Sequence, residues 1–305
     1  MKKVFAVIII TLALPLLSQA CDTCNCGTGN RYISILPDFR EHVFGLRYRY
    51  SSLHSSVNIN GSATPALETY NAVEFWSGWN ITRKIRIMGF IPYRFAELHS
   101  QAATTSKNGL GDISLVGYYK LLNNRHTIDS GRLPVQNLWF GVGVEMPTGE
   151  YDTTDKSILN ESGNLHQLGS GSTDVIFNIV YNICLRNTEL NFSSTYKINT
   201  VNKYAYEYGN YFNINAQAYY KFCIKHTITV APDIGAQFEN FQHSVDEEHW
   251  DKTASGNLIT GTVGVETNFK RIAIGGNFQT PLQQNLGKGL VEANNRWTVH
   301  ISFTL

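Results

Sequence analysis

The chain has 305 residues, 25 basic against 24 acidic side chains and a formal net charge of +1, so no basic excess marks a nucleic-acid binder. Aromatic residues make up 12%, Gly numbers 25 and Pro only 8. Five cysteines, three of them crowded near the amino terminus, are too unevenly placed in too long a chain for a small disulfide-stapled fold.

Met1 to Ala20 reads as a secretory signal peptide. Lys2 and Lys3 supply the charged start, Val4 to Leu17 the apolar run, and Ser18-Gln19-Ala20 the small-residue exit. That run is too short for a membrane helix, and no later window reaches the necessary length. Removing the leader brings the charge close to zero. Residues 21–41 are expected to form a cysteine-containing arm or plug, and residues 42–305 one all-β domain.

The segments that follow alternate with period two, which is the signature of strands with two unlike faces. The first runs from Val43 to Ser52, with Phe44, Leu46, Tyr48 and Tyr50 opposite Gly45, Arg47, Arg49 and Ser51. The next, Tyr70 to Ile81, sets Val73, Phe75, Trp79 and Ile81 against Glu74, Gly78 and Asn80. After Thr82-Arg83-Lys84, the residues Ile85, Ile87, Ile91 and Tyr93 oppose Arg86 and Arg94, and that strand is expected to end near Ala96. His99 to Asn108 reads as a polar loop. Three strands then lie within Gly109 to Leu185, separated by Pro147-Thr148-Gly149 and Gly169-Ser170-Gly171. Six more follow, ending in Trp297, Val299, Ile301, Phe303 and Leu305 opposite Arg296, Thr298, His300, Ser302 and Thr304.

The count is about twelve strands, and short turns alternate with long loops along the chain. The short ones are at 82–84, 186–188, 223–226 and 269–271, and the long ones at 54–67, 99–108, 148–170, 241–256 and 283–293; residues 123–133 break the rule. An antiparallel transmembrane β-barrel with both termini on the short-turn side requires this alternation, whereas a soluble sandwich has no use for it. Arginines in aromatic strands must then face the lumen, because each costs roughly 2–4 kcal/mol on the lipid side at the midplane.

Gly109-Leu110-Gly111-Asp112, Pro147-Thr148-Gly149 and Gly169-Ser170-Gly171 through Asp174, in that order, resemble a bacterial family of outer-membrane transporters named after the meta-pathway of phenol degradation. The likeness covers about Gly109 to Tyr181. It implies an outer-membrane barrel with a transport role and leaves the solute open. Leu305 stands where the terminal strand of such barrels more usually ends in an aromatic residue.

Asp112, Glu145 and Asp174 share the inward phase near the external rim, where adjacent strands would bring their carboxylates together. Two readings follow: a cation-attracting cluster at the pore mouth, or a ladder of lumen charges with Arg47, Arg49 and Arg94 as partners. The glycines of the three motifs are expected in tight turns. Cys21, Cys24 and Cys26 have spacing that suits a soft metal ion, copper or zinc, given a further ligand; a disulfide or lipidation of Cys21 are the other readings. No other cofactor is implied. A membrane-embedded hydrolase would need Ser and His together on the lipid face. Ser194 has the outward phase and His300 the inward, so an enzyme is not expected. The resulting expectation is an outer-membrane barrel of a Gram-negative bacterium that passes small solutes passively. Its partners would be the surrounding lipids, a small solute and a periplasmic protein. The alternatives are a non-conducting structural or binding barrel and a metal-handling protein acting through the arm.

Overall fold

The computed structural model describes residues 42–59, 62–100, 104–125, 135–153, 167–224, 227–246, 249–250 and 255–305. The leader and the arm with its three cysteines lie outside the described residues.

Twelve antiparallel strands close on themselves. They are β1 (Val43–Ile59), β2 (Ser62–Asn80), β3 (Ile85–Ser100), β4 (Thr104–Leu110 continued by Ile113–Arg125), β5 (Val135–Met146) and β6 (Asp174–Leu185). The second half comprises β7 (Thr188–Ile198), β8 (Tyr211–Tyr220 with Phe222–Ile224), β9 (Ile228–Phe241), β10 (Gly256–Phe269), β11 (Ile272–Leu286) and β12 (Val291–Ala293 with Arg296–Thr304). Each pairs with its sequence neighbour. β12 pairs with β1 from Val43↔Thr304 to Tyr50↔Trp297, so the sheet has no free edge.

Period-two alternation decides the wall. Leu46, Phe75, Trp79, Ile91, Val142, Ile179, Ile214, Ile234, Val263, Ile274 and Val299 are exposed on the outside. Arg47, Glu74, Arg86, Glu145, Lys197, Asp233, Glu239, Glu266 and His300 are buried on the inside. This reverses a water-soluble protein, and it is the arrangement that hydrocarbon outside and polar groups inside demand. Every expected strand keeps its phase. The inner face is not uniformly polar, however. Val43, Trp76, Met88, Phe90, Val116, Tyr118, Trp139 and Val180 form an inward apolar cluster across β1 to β6. Leu53, Tyr211, Phe241, Leu258, Leu286, Val291 and Ala293 form a second one, toward the long-loop end. A narrow barrel must be filled by side chains, and these large ones do part of that.

Two expectations need correction. β1 and β2 pair as far as Ile59↔Ser62, well past the expected boundaries at Ser52 and Tyr70. His99 to Asn108 is not a loop. β3 runs to Ser100, and β4 opens at Thr104 with His99↔Thr104 in register; residues 101–103 between them are not described. Above the membrane both faces of a hairpin meet water, so apolar alternation ends while the hydrogen-bond ladder continues.

At the opposite end the connections are tight. Thr82 Oγ1 accepts hydrogen bonds from the backbone N–H groups of Lys84 (3.2 Å) and Ile85 (3.0 Å). Arg186-Asn187 joins β6 to β7, and Lys270-Arg271 joins β10 to β11. Arg186 and Lys270 have φ of 56° and 54°, the left-handed region in which an L side chain is strained.

Candidate functional site: the lumen and its external rim

The three motifs singled out in the sequence form one knot. Asp112 lies between the two segments of β4, and its side chain is buried. Its Oδ1 accepts a hydrogen bond from the Gly149 N–H at 2.9 Å. Its Oδ2 accepts from the Ser170 N–H at 2.6 Å and from the Ser170 hydroxyl at 2.9 Å. Thr148 Oγ1 donates to the Gly111 carbonyl and accepts from the Ile113 N–H, both at 2.9 Å. The connection from Met146 to Asp174 is thereby tied at both ends to the start of the descending part of β4. Hydrogen bonds to an ionised acceptor contribute about 1.5–3 kcal/mol each, so Asp112 is the strongest single point of the knot.

The motif glycines do a different job from the one expected. Among Gly109, Gly111, Gly149, Gly169 and Gly171, only Gly171 has a left-handed φ, 70°. Gly149 and Gly169 touch through their backbones: a Cβ on Gly149 would lie 2.7 Å from the Gly169 Cα. Close approach of two chain segments, rather than a turn, is what requires them.

The knot is covered from one side. Leu168 is buried, and its carbonyl accepts from Arg94 Nη1 at 3.0 Å. Tyr151 stacks on Tyr204 with ring centroids 5.2 Å apart, beside buried Tyr206 and Tyr208. Asn202 donates to the Ser170 carbonyl at 3.0 Å and fixes the β7–β8 connection with its own Oδ1. A small sheet of Tyr206–Glu207, Val245–Asp246 and His249–Trp250 stands over the same mouth. A polar recess of about 260 Å³ remains between the rim and the loop, lined by Ser106, Lys107, Asn108, Glu150, Asp152 and Leu168.

Glu145 and Asp174 face each other directly across β5 and β6. Lys197 on β7 lies 2.5 Å from Glu145 Oε1 and 3.0 Å from Asp174 Oδ2, and all three side chains are at most 1% exposed. Asp174 Oδ1 also accepts from the Ser172 hydroxyl at 2.8 Å and the Thr200 N–H at 3.0 Å. Two carboxylates thus share one ammonium inside the wall. Their mutual repulsion is offset only while Lys197 stays charged and in place.

The expected arginine partners go elsewhere. Arg47 and Arg49 both bind Glu74, Arg49 Nη2 at 3.2 Å from its Oε2. Register explains it: Arg47 is opposite Glu74 on the neighbouring β2, whereas β5 and β6 lie several strands away around the wall. Arg94 serves a loop carbonyl instead of a carboxylate. So Glu145 and Asp174 are brought together, Asp112 is turned to the loop, and the three arginines do not join them.

The rest of the charged lumen adds residues that received no site role from the sequence, among them Glu239 and Glu266. One cross-strand row reads Glu266, Gly275, His300, Arg47, Glu74 from β10 to β2. His300 Nε2 is 3.2 Å from Glu266 Oε2. Glu239 accepts from the Tyr211 hydroxyl at 2.9 Å and from Arg296 at 2.7 Å, a tie from β8 and β9 to β12. Inward phase was the available signal, since each of these is a charged residue in a strand whose other face is apolar. The His300–Glu266 and Arg296–Glu239 pairings were not available, because each joins strands that are not hairpin neighbours.

Ser194 lies on the outward phase of β7, and His300 is buried inward. The arm carrying Cys21, Cys24 and Cys26 lies outside the described residues. Cys184 and Cys223 lie close to the short turns, with Cys184 Sγ 3.7 Å from the Arg186 carbonyl oxygen.

No family model and no curated protein matches this sequence. Among solved structures, an outer membrane channel from Pseudomonas putida F1 is similar with a TM-score of 0.59 at 14% identity, covering 89% of this chain and 100% of that one. The transport unit of the autotransporter AIDA-I from Escherichia coli has a TM-score of 0.46 at 9% identity, covering 91% of this chain and 95% of that one. The NanC porin has a TM-score of 0.42 at 10% identity, covering 85% and 100%. The last two likenesses are too distant to build on. The first is a likeness of fold: a closed antiparallel barrel of the kind an outer membrane channel has.

Proposed function

We propose that this protein is a passive channel of the Gram-negative outer membrane, admitting small solutes through a narrow, charged lumen. The observation that carries the reading is the inverted wall, apolar where it is exposed and charged where it is buried. Such a wall is stable only with hydrocarbon outside, and its inner polar row is a path along which a small polar solute can exchange hydrogen bonds. The fold likeness to the Pseudomonas putida channel supports this. So do the signal-like leader and the resemblance of the three motifs to outer-membrane transporters. The opposite faces of Ser194 and His300 support a protein without hydrolytic chemistry.

Inward clusters and ion pairs fill part of the lumen, so passage should fall steeply with solute size. Liposome swelling with the refolded full chain, using sugars and amino acids of graded size, tests this. Swelling that declines from the smallest solute upward is expected. A barrel that is folded by heat-modifiable gel mobility yet swells for no solute would leave a structural or binding barrel in its place.

A further inference from the structure

We infer that the short-turn rim is a binding surface for the headgroups of anionic phospholipids in the leaflet it meets. The inference rests on the membrane-spanning wall and not on whether the lumen conducts.

The charge on that rim is one-sided. Arg83 and Lys84 at the β2–β3 turn, Arg186 at the β6–β7 turn, and Lys270 and Arg271 at the β10–β11 turn are all exposed. Among the described residues of these turns and the strand ends beside them, Glu189 is the acid present, and Lys221 already pairs with it. The long-loop rim differs: Glu97, Glu150 and Glu292 are exposed there against Lys203 and Lys288.

The placement favours lipid over a protein partner. The three turns recur every fourth strand of a twelve-stranded cylinder, so the charge is spread around the circumference. A single docked protein would meet one side of such a ring; a lipid annulus meets all of it. Each basic site also follows an outward apolar side chain, directly at Arg186 and Lys270 and with Thr82 between at Arg83. Ile81 is 61% exposed, Leu185 48% and Phe269 44%, and Lys270 Nζ stands 5.3 Å from the centre of the Phe269 ring. Apolar chain below and cation at its edge is the depth profile of an acyl chain and its phosphate.

Backbone conformation adds an independent point. Arg186 and Lys270 occupy left-handed positions that Gly or Asn would hold with less strain. The rim keeps long cations where the hairpin alone would be better served without them. Ala205 and Lys288 share that conformation in connections at the other end, so strain by itself does not define the site.

The same two positions supply a clean test. Arg186→Gly and Lys270→Gly delete the charge while relieving the turn, so loss of lipid is not loss of fold. The full chain is refolded into vesicles of phosphatidylethanolamine with a minor share of phosphatidylglycerol, and native mass spectrometry counts the lipids retained after mild detergent extraction. Wild type should retain phosphatidylglycerol well above its share. Preference should fall by about fivefold for each site removed, the effect of about 1 kcal/mol per basic residue at a membrane surface. Raised salt should weaken it, and inorganic phosphate at equal ionic strength should weaken it no more than chloride does. Retention of phosphatidylglycerol by wild type only in proportion to its share of the vesicle overturns the proposal. So does an unchanged preference when Arg83→Gln and Lys84→Gln are added in a barrel that still shows heat-modifiable mobility.

Discussion

The two rims of the barrel hold their connections by opposite means. At the external rim, side chains are removed from water and made to satisfy one another: Asp112 gathers Gly149 and Ser170, and Lys197 sits between Glu145 and Asp174. At the other rim, two-residue turns such as Arg186-Asn187 point their charges outward and bury none. Buried ionic groups are costly to orphan, while exposed ones contribute little to stability. The external rim is therefore brittle and specific. The short-turn rim tolerates change and is open to whatever surrounds it.

The sharpest way to break the contrast is Lys197→Met. It leaves two carboxylates facing each other in the wall and should cost about 3–5 kcal/mol, read as a lower urea midpoint for loss of heat-modifiable mobility. Asp112→Ala comes next. It leaves the Gly149 and Ser170 N–H groups without their acceptor, the Ser170 hydroxyl keeping only the Ser172 carbonyl, and should cost about 2–3 kcal/mol. Its clearer signature is early protease cleavage between Met146 and Asp174 while the strands stay intact. Gly149→Ala pushes a methyl into the Gly169 backbone, a contact that cannot yield, and about 1–3 kcal/mol is expected in the same urea assay. Smallest of all is Lys270→Gly. Relief of its left-handed backbone should leave the midpoint unchanged or raise it by up to about 1 kcal/mol. A larger loss from Lys270→Gly than from Gly149→Ala would erase the distinction between the rims.

The wall was legible because a membrane barrel writes its two solvents into alternate residues. Leu46 beside Arg47 and Ile301 beside His300 already assign both faces, and no strand slipped phase. The ends were less legible. His99 and Thr104 pair in register, yet polar residues on both faces show no alternation to read. The site was half legible. That Asp112, Glu145 and Asp174 face inward follows from phase alone. That Asp112 holds Gly149 and Ser170 does not, because a connection of more than twenty residues conceals which of its ends returns to the rim. Lys197 was in view as an inward lysine on β7, but its partners lie on the neighbouring and next-but-one strands, and which inward groups meet there depends on the strand register. The arginines were misassigned for a simpler reason: Arg47 meets Glu74 across its own hairpin, several strands away from Glu145 and Asp174.

The proposed channel has a polar lumen through the barrel and an outer mouth constrained by the Asp112 knot. Single-channel recording in planar bilayers with wild type and Asp112→Ala measures both at once. Wild type should show small, steady steps, and Asp112→Ala larger and noisier ones as the loop comes free. Folded protein that inserts but stays electrically silent in both forms would contradict the account.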